Sequence, residues 1–541
     1  MCGIHATIAT AQSPWRQEPE FEENLRRRGP DHFGTLRATV GELALSFTST
    51  VLSLRGDHVA RQPLVDESAG SVLCWNGECW GVDGRPVEGN DTEAILGLLS
   101  RASQARAPGD GEDAVLEALR TIQGPFAFIF FDKLAKRVYY GRDRLGRRSL
   151  LIKPGSPLTL SSIAEGASDS WVEVEADGCY IIELDGSHPA PTRHRWASDD
   201  AMVSSIGLFN SSLPEQPPHL CADSSAVRAL EQRLRDSLGL RALGIPRPPG
   251  ASETDARLAV LFSGGLDCTV LARLASEVVP LGQSVDLINV AFENPRIASQ
   301  HKDMSQDALF ELCPDRITGR NSFAELVKVC PGRTWRLVTV NVPYEENCTH
   351  RSRIIRLMYP HNTEMDLSIA SALYFAARGQ GTAITKPDEE ARPYSTTARV
   401  LMSGLGADEL FGGYSRHGAA HASRGYQGLV DELKLDVGRL GKRNLGRDDR
   451  VMAHWGREVR FPFLDETLVR WAIALPAWEK CDFGSAGGAT GLDAEKRVLR
   501  LLSLNLGMTE VAREKKRAIQ FGARTAKMES GKVKGTTLIT A

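Results

Sequence analysis

The residues Leu258–Asp267, LAVLFSGGLD, set a compact apolar run against a serine–glycine turn. Leu258–Phe262 has the length and apolar content of a strand buried on both faces, and the glycines end it sharply. Apolar periodicity over Cys268–Val278 predicts a helix directly after the turn. Val285–Phe292 (VDLINVAF) reads as a second buried strand, and Ala226–Leu240 as an amphipathic helix ahead of the first. Strands of this kind alternating with helices imply a doubly wound parallel sheet. Ligands of such a sheet lie beyond the carboxyl ends of its strands, where Ser263, Gly264 and Gly265 fall. Small residues there let backbone N–H groups converge on an anion, and the following helix adds its dipole. Asp267 is suited to a Mg2+ ion beside that anion. The turn lacks the Gly-Lys-Ser/Thr ending of a Walker A loop.

Upstream the texture changes. Residues 1–196 read as short strands between turns, among them Ser71–Trp75, Phe126–Asp132 (FAFIFFD) and Tyr180–Leu184. One amphipathic helix is predicted over Asp91–Ser100, with Asp91 as its N-cap. Residues 197–225, rich in Ser, Pro and Asn, read as a linker. A second domain follows over residues 226–528, and the polar residues 529–541 read as a flexible tail. Residues 295–360 fit neither pattern and read as a possible insertion. A chain of 541 residues exceeds one hydrophobic core, which agrees with two domains.

Net charge is −3, from 65 basic and 68 acidic residues, so nothing electrostatic points to nucleic acid or an anionic membrane as partner. Ten cysteines occur without a CxxC pair, which argues against a zinc ribbon or disulfide framework and for reduced thiols. The N-terminus lacks a basic n-region and apolar core, and no apolar run approaches the ~20 residues of a membrane span. These readings lead to the expectation of a cytoplasmic protein. Oligomeric state has no signature in the sequence.

Cys2 directly follows Met1, and a small second residue permits removal of the methionine. The exposed cysteine then carries both a thiol and an α-amine able to act as its base, a combination suited to attacking an amide. Alone it would be an inert terminal thiol. Its company decides otherwise: Arg28-Gly29-Pro30-Asp31, Asn76-Gly77-Glu78, Asp91-Thr92-Glu93 and Gly141-Arg142-Asp143. In this order the set resembles the class II glutamine amidotransferase domain of asparagine synthetases. The resemblance implies an N-terminal-nucleophile αββα sandwich in which Cys2 forms a thioester with glutamine and releases ammonia. It assigns Asn76 and Gly77 to the oxyanion hole, and Glu78 and Asp91 to the glutamine α-amino end. One position departs: Val51 stands eleven residues before Gln62-Pro63, where the family has a carboxylate-gripping arginine. Arg55 lies four residues on.

The strand–SGGLD–helix element resembles the pyrophosphate loop of ATP-pyrophosphatases, which cleave ATP between the α and β phosphates. Ser403–Tyr414, SGLGADELFGGY, tracks the corresponding synthetase motif. The resemblance implies ATP and Mg2+, with Leu261 and Val290 flanking adenine and ribose. Ser403 and Gly404 would meet the nucleotide, Asp408 would support the metal with Asp267, and Lys516 would face charge developing on the reacting groups. Two further departures fall near the acceptor acid. Leu405 replaces a glutamate, and Ile369–Leu373 (IASAL) replaces an Arg-Ala-Ser-Thr-Pro segment. With Arg460–Asp465, Asn444–Arg450 and Ile519–Gly522, these features resemble the asparagine synthetase domain-containing protein 1 group over nearly the whole chain. The resulting expectation is an ATP-dependent, glutamine-hydrolysing ligase, nominally making asparagine from aspartate through an acyl-adenylate. Amidation of another acid, and a nucleotide- or glutamine-binding regulator without turnover, are the alternatives.

Overall fold

The computed structural model describes residues 2–10, 18–105, 113–166, 170–185, 190–215, 219–484, 491–528 and 534–539. Its first part contains two six-stranded antiparallel sheets, one centred on Leu158–Ser161 and Gly3–Thr10, the other on Arg137–Arg142 and Phe126–Asp132, which Val72–Gly77 flanks. The two-residue side-chain period of a strand explains how they stack. Val72 and Cys74, with Ala127, Ile129 and Phe131, face inward against Ile4, Ala6 and Ile8 of the first sheet. Leu73 and Trp75, with Phe126, Phe128 and Phe130, face outward beneath helices Asp91–Gln104 and Ala114–Arg120. Phe126–Asp132 is a continuous apolar run because both of its faces are covered. Helix Pro19–Arg28 sets Phe21 and Leu25 over the outer side of the first sheet with Ile163. The layers are thus helix, sheet, sheet, helix.

The second part is built on a seven-stranded sheet. Its parallel core runs Trp335–Val342, Val285–Phe292, Leu258–Leu261, Val400–Met402, Glu458–Arg460, and the hairpin Gln380–Ile384/Arg392–Ser395 extends one edge antiparallel. The strand order reverses at Leu258–Leu261, flanked by Val285–Phe292 and Val400–Met402. That reversal opens a crevice beyond the carboxyl ends of the strands.

Four expectations change. The helix expected over Asp91–Ser100 runs to Gln104, and its N-cap is Asn90, whose side chain accepts from Thr92 N and Glu93 N; Asp91 is already the first helical residue. Residues 295–360 are not an insertion, since they supply helix Pro314–Val329 and the strand Trp335–Val342. The stretch 197–225 is no free linker: Met202–Val203 pairs with Gly207–Leu208, and Val203, Ile206 and Phe209 join the second core. Its residues 216–218 lie outside those described. Within the tail expected to be flexible, Thr363 bridges to Leu538, and Glu364 N and Met365 N donate to the carbonyls of Thr537 (3.0 Å) and Gly535 (2.9 Å). These satisfy two first-turn donors of helix Glu364–Arg378 that would otherwise be orphaned. Tail residues 529–533 and 540–541 lie outside those described.

The two halves meet through buried and partly buried ion pairs. Arg28 donates to Asp449 at 2.8 Å, Arg399 grips Asp31 at 2.7 and 3.0 Å, and Arg148 pairs with Glu458 at 3.2 Å. Arg28 and Asp31 are the ends of the RGPD turn, so that motif fastens one half to the other. Among the described residues no helix is long and apolar enough to cross a membrane.

Candidate functional sites

Cys2 immediately precedes the strand Gly3–Thr10 and is buried. Its carbonyl accepts from Arg28 Nε at 3.3 Å, and Gln62 Nε2 points to its Sγ at 3.9 Å. The Gln62 carbonyl oxygen in turn accepts from Trp75 N at 2.7 Å. One glutamine therefore fastens the thiol to the strand that carries Asn76. Burial pushes the Cys2 thiol up to about 11, which keeps the sulfur protonated at neutral pH.

Asn76 is fully buried, yet neither Oδ1 nor Nδ2 has a hydrogen-bond partner. A buried amide left unpaired costs on the order of 1–3 kcal/mol, a cost that a bound ligand offering both a donor and an acceptor would relieve. Gly77 has no room for more than hydrogen, because a Cβ there would lie 2.2 Å from the Pro125 carbonyl oxygen. Glu78 Oε1 accepts from Arg460 Nη2 at 2.9 Å, while its Oε2 has no hydrogen-bond partner. Burial lifts Glu78 to about 8 against the pull of Arg460, with Glu458 and Asp91 adding to the rise. Asp91 Oδ2 accepts from Cys79 N at 2.7 Å, and burial raises its carboxyl as well. Val51 is buried, and Arg55 turns its guanidinium onto the Cys79 and Val87 carbonyls, with Nε 3.8 Å from Glu78 Oε2. The expected N-terminal set is thus gathered in one place, with Arg55 at its edge.

In the second half, a cleft of 1040 Å³ opens at the strand-order reversal. Leu261, Ser263, Gly265, Asp267, Val290, Ser403, Gly404, Asp408 and Lys516 all line it. Gly264 does not: its φ is +81° and a Cβ would lie 2.5 Å from Gly319 N, so it shapes the turn from behind. The two loops touch, since a Cβ on Gly404 would come within 2.9 Å of Asp267 Cβ.

Sequence reading missed the residue that joins them. Lys496, in a left-handed conformation with φ +52° ahead of helix Arg497–Asn505, donates to both oxygens of Asp267 at 2.8 Å and reaches Asp408 at 2.9 Å. Lys516 lies 3.1 Å from the other Asp408 oxygen and 4.4 Å over the Tyr414 ring. Burial raises the Asp408 carboxyl, but the two lysines outweigh it and hold the group at about 2. The segment around Lys496, DAEKR, carries no glycine turn or spacing that marks it. Among the described residues no cluster of three or more His, Cys, Asp or Glu could hold a metal. A magnesium ion arriving with phosphates needs only one or two protein carboxylates; Asp267 and Asp408 are the acids placed to supply them, and Lys496 and Lys516 would have to yield oxygens to the ion.

Residues 389–431 and 421–537 match the asparagine synthase family. The mouse asparagine synthetase domain-containing protein 1 is 33% identical to this chain, over 99% of this chain and 98% of its own length. The chain belongs to the asparagine synthetase domain-containing protein 1 family. A Saccharomyces cerevisiae asparagine synthetase domain-containing protein is 35% identical over 95% of this chain and 90% of its own. Escherichia coli asparagine synthetase B, a glutamine-hydrolysing enzyme, is more distant, at 23% identity over 89% and 74%. In this member of the asparagine synthetase domain-containing protein 1 family, Leu405, Ile369 and Leu373 all line the cleft.

Proposed function

We propose that the chain is an ATP-dependent amide synthetase that draws its nitrogen from glutamine. The observation that carries this reading is the meeting of the SGGLD and SGLGADE loops at the strand-order reversal, with Asp267 and Asp408 joined through Lys496. Leu261 and Val290 flank the adenine and ribose of ATP. Ser263 and Gly265, on the turn that Gly264 shapes, and Ser403 and Gly404 bring backbone donors to its phosphates. Asp267 and Asp408 would hold Mg2+, which when bound would supply positive charge against the leaving pyrophosphate. Lys516 opposes the charge that develops as the acceptor carboxyl is activated to an acyl-adenylate and then attacked by ammonia.

At the other end, Cys2 attacks the glutamine amide while its own α-amine takes the thiol proton. Asn76 Nδ2 and the Gly77 amide steady the oxyanion, donors of a kind worth ~2.7–4 kcal/mol each. Glu78 and Asp91 receive the α-ammonium. The unpaired atoms of Asn76 and Glu78 support this assignment. Arg55, beside Glu78, takes the substrate carboxylate in place of the arginine that Val51 displaces.

Aspartate is the nominal acceptor. A second reading, amidation of a different acid, is favoured by the apolar Ile369, Leu373 and Leu405 on the cleft wall, which offer an acceptor side chain no ion pair. The deciding experiment measures pyrophosphate release from Mg-ATP with a panel of acids and with glutamine or ammonium as donor. Aspartate-dependent pyrophosphate together with asparagine supports the nominal reaction, and turnover with another acid supports the second. Nucleotide binding without turnover by any acid would overturn both.

A further inference from the structure

One residue bonds both to the acid of the glutamine pocket and to a residue that lines the nucleotide cleft. Arg460 ends the strand Glu458–Arg460, and its side chain and backbone face different sites. The guanidinium donates to Glu78 Oε1 at 2.9 Å, to Glu458 Oε1 at 2.6 Å and to the Arg241 carbonyl at 2.7 Å. Its Cζ lies 5.2 Å over the Trp80 ring. The Arg460 backbone carbonyl accepts from Ser403 N at 3.0 Å, and the strand pairs in register with Met402. The next residues support the same loop from below, since a Cβ on Gly406 would lie 2.5 Å from Leu464 Cδ2 and 3.2 Å from Phe463 Cβ. One buried side chain therefore bonds to the acid of the glutamine pocket, and its own carbonyl fixes the first amide of the nucleotide loop.

We infer that Arg460 is a positioning residue that couples the two pockets: a ligand ammonium at Glu78 redistributes the Arg460 guanidinium between Glu78 and Glu458, and the strand carries that change to Ser403. This rests on the glutamine and nucleotide assignments proposed above. The competition is physical, because Glu78 Oε1 is held by Arg460 while its Oε2 accepts no hydrogen bond and has only Arg55 Nε, at 3.8 Å, as a cationic neighbour. A desolvated site magnifies such an exchange of partners. The path is short, since Arg460 bonds directly to Glu78 on one side and to Ser403, which lines the cleft, on the other.

The test uses the full chain carrying Cys2→Ala, so that glutamine is not consumed. Affinity for Mg-α,β-methylene-ATP is measured by calorimetry without and with saturating glutamine, and then repeated with Arg460→Lys added. The expected result is a shift of at least fivefold in nucleotide Kd on adding glutamine, with the same factor in glutamine affinity on adding nucleotide. With Arg460→Lys the shift falls below twofold while both ligands still bind. Binding of both ligands with no shift in the Cys2→Ala protein, or an undiminished shift in Arg460→Lys, overturns the coupling and leaves the assignments standing. Failure of glutamine to bind at all overturns the glutamine assignment and the coupling with it. Should Arg460→Lys not fold, hydrogen exchange of residues 402–406 in the Cys2→Ala protein carries the test. A change in exchange on adding glutamine is expected, and identical exchange overturns the inference.

Discussion

Arg28 Nη2 lies 2.8 Å from Asp449 Oδ2, and both side chains are almost wholly removed from solvent. The same guanidinium holds the Cys2 carbonyl, so the turn before the first hairpin is anchored on a helix of the other half. Removing one partner of such a pair strands a buried charge and costs about 3–5 kcal/mol. Asp449→Ala is expected to lose that much stability in urea denaturation. The double change Arg28→Met with Asp449→Leu should recover most of it. Equal losses in the single and double variants would contradict this account of the interface.

Cys2→Ala should abolish glutamine hydrolysis, with ammonia release falling by at least ~1000-fold, as expected when a covalent nucleophile is lost. Pyrophosphate release with ammonium as donor should persist, because the cleft is untouched. Equal ammonia release from wild type and variant would remove Cys2 from the chemistry.

At Gly404 the added methyl group of alanine meets Asp267 Cβ at 2.9 Å, against a backbone-fixed neighbour rather than a flexible side-chain end. Gly404→Ala should therefore push the two loops apart and weaken Mg-ATP binding by about 10-fold or more, in line with ~1–3 kcal/mol for overpacking. The melting temperature should fall only slightly. Unchanged nucleotide affinity would show that the loops do not jointly bind it.

Lys480 supplies a pH dependence. Burial lowers its ammonium to about 7, and Cys481 beside it is itself pushed up to about 12 by burial and stays neutral. Unfolded, the same amine titrates near ~10.4. Between these values the unfolded chain holds a proton that the folded chain has released, so stability rises as pH climbs from about 7 towards 10 and the deficit is complete below 7. Lys480→Met should stabilise the protein by about 2–4 kcal/mol at pH 7, with the advantage shrinking at pH 9. Urea titrations at the two pH values check this. A gap independent of pH would show that Lys480 is not the titrating group.

Much of the architecture was written where covering on both faces forces unbroken apolar runs. Phe126–Asp132 and Val285–Phe292 were recognisable to the residue for that reason. Trp335–Val342 escaped because Arg336, Thr339 and Asn341 interrupt it, and their partners are distant: Ser284, Thr382 and Arg316. The glycine-rich turns announced both loops of the cleft, because close backbone approach leaves a compositional mark. Lys496 left none, since a lysine that bridges two aspartates looks locally like any solvated cation. The buried guanidinium of Arg460 was likewise invisible until Glu78 was placed opposite it. The polar tail misled for the same reason: its partners are backbone atoms of residues 362–365, and backbone pairing has no side-chain signature.

That tail changes how variation late in the reading frame is to be judged. A premature stop just ahead of Lys534 deletes only the last few residues and would ordinarily be scored as harmless. Here it would remove the carbonyls that cap helix Glu364–Arg378 and the residues Gly535 and Thr536 at the cleft wall. A short truncation allele would thus make a folded polypeptide with a damaged binding cleft, and normal protein abundance would be no sign of a working one.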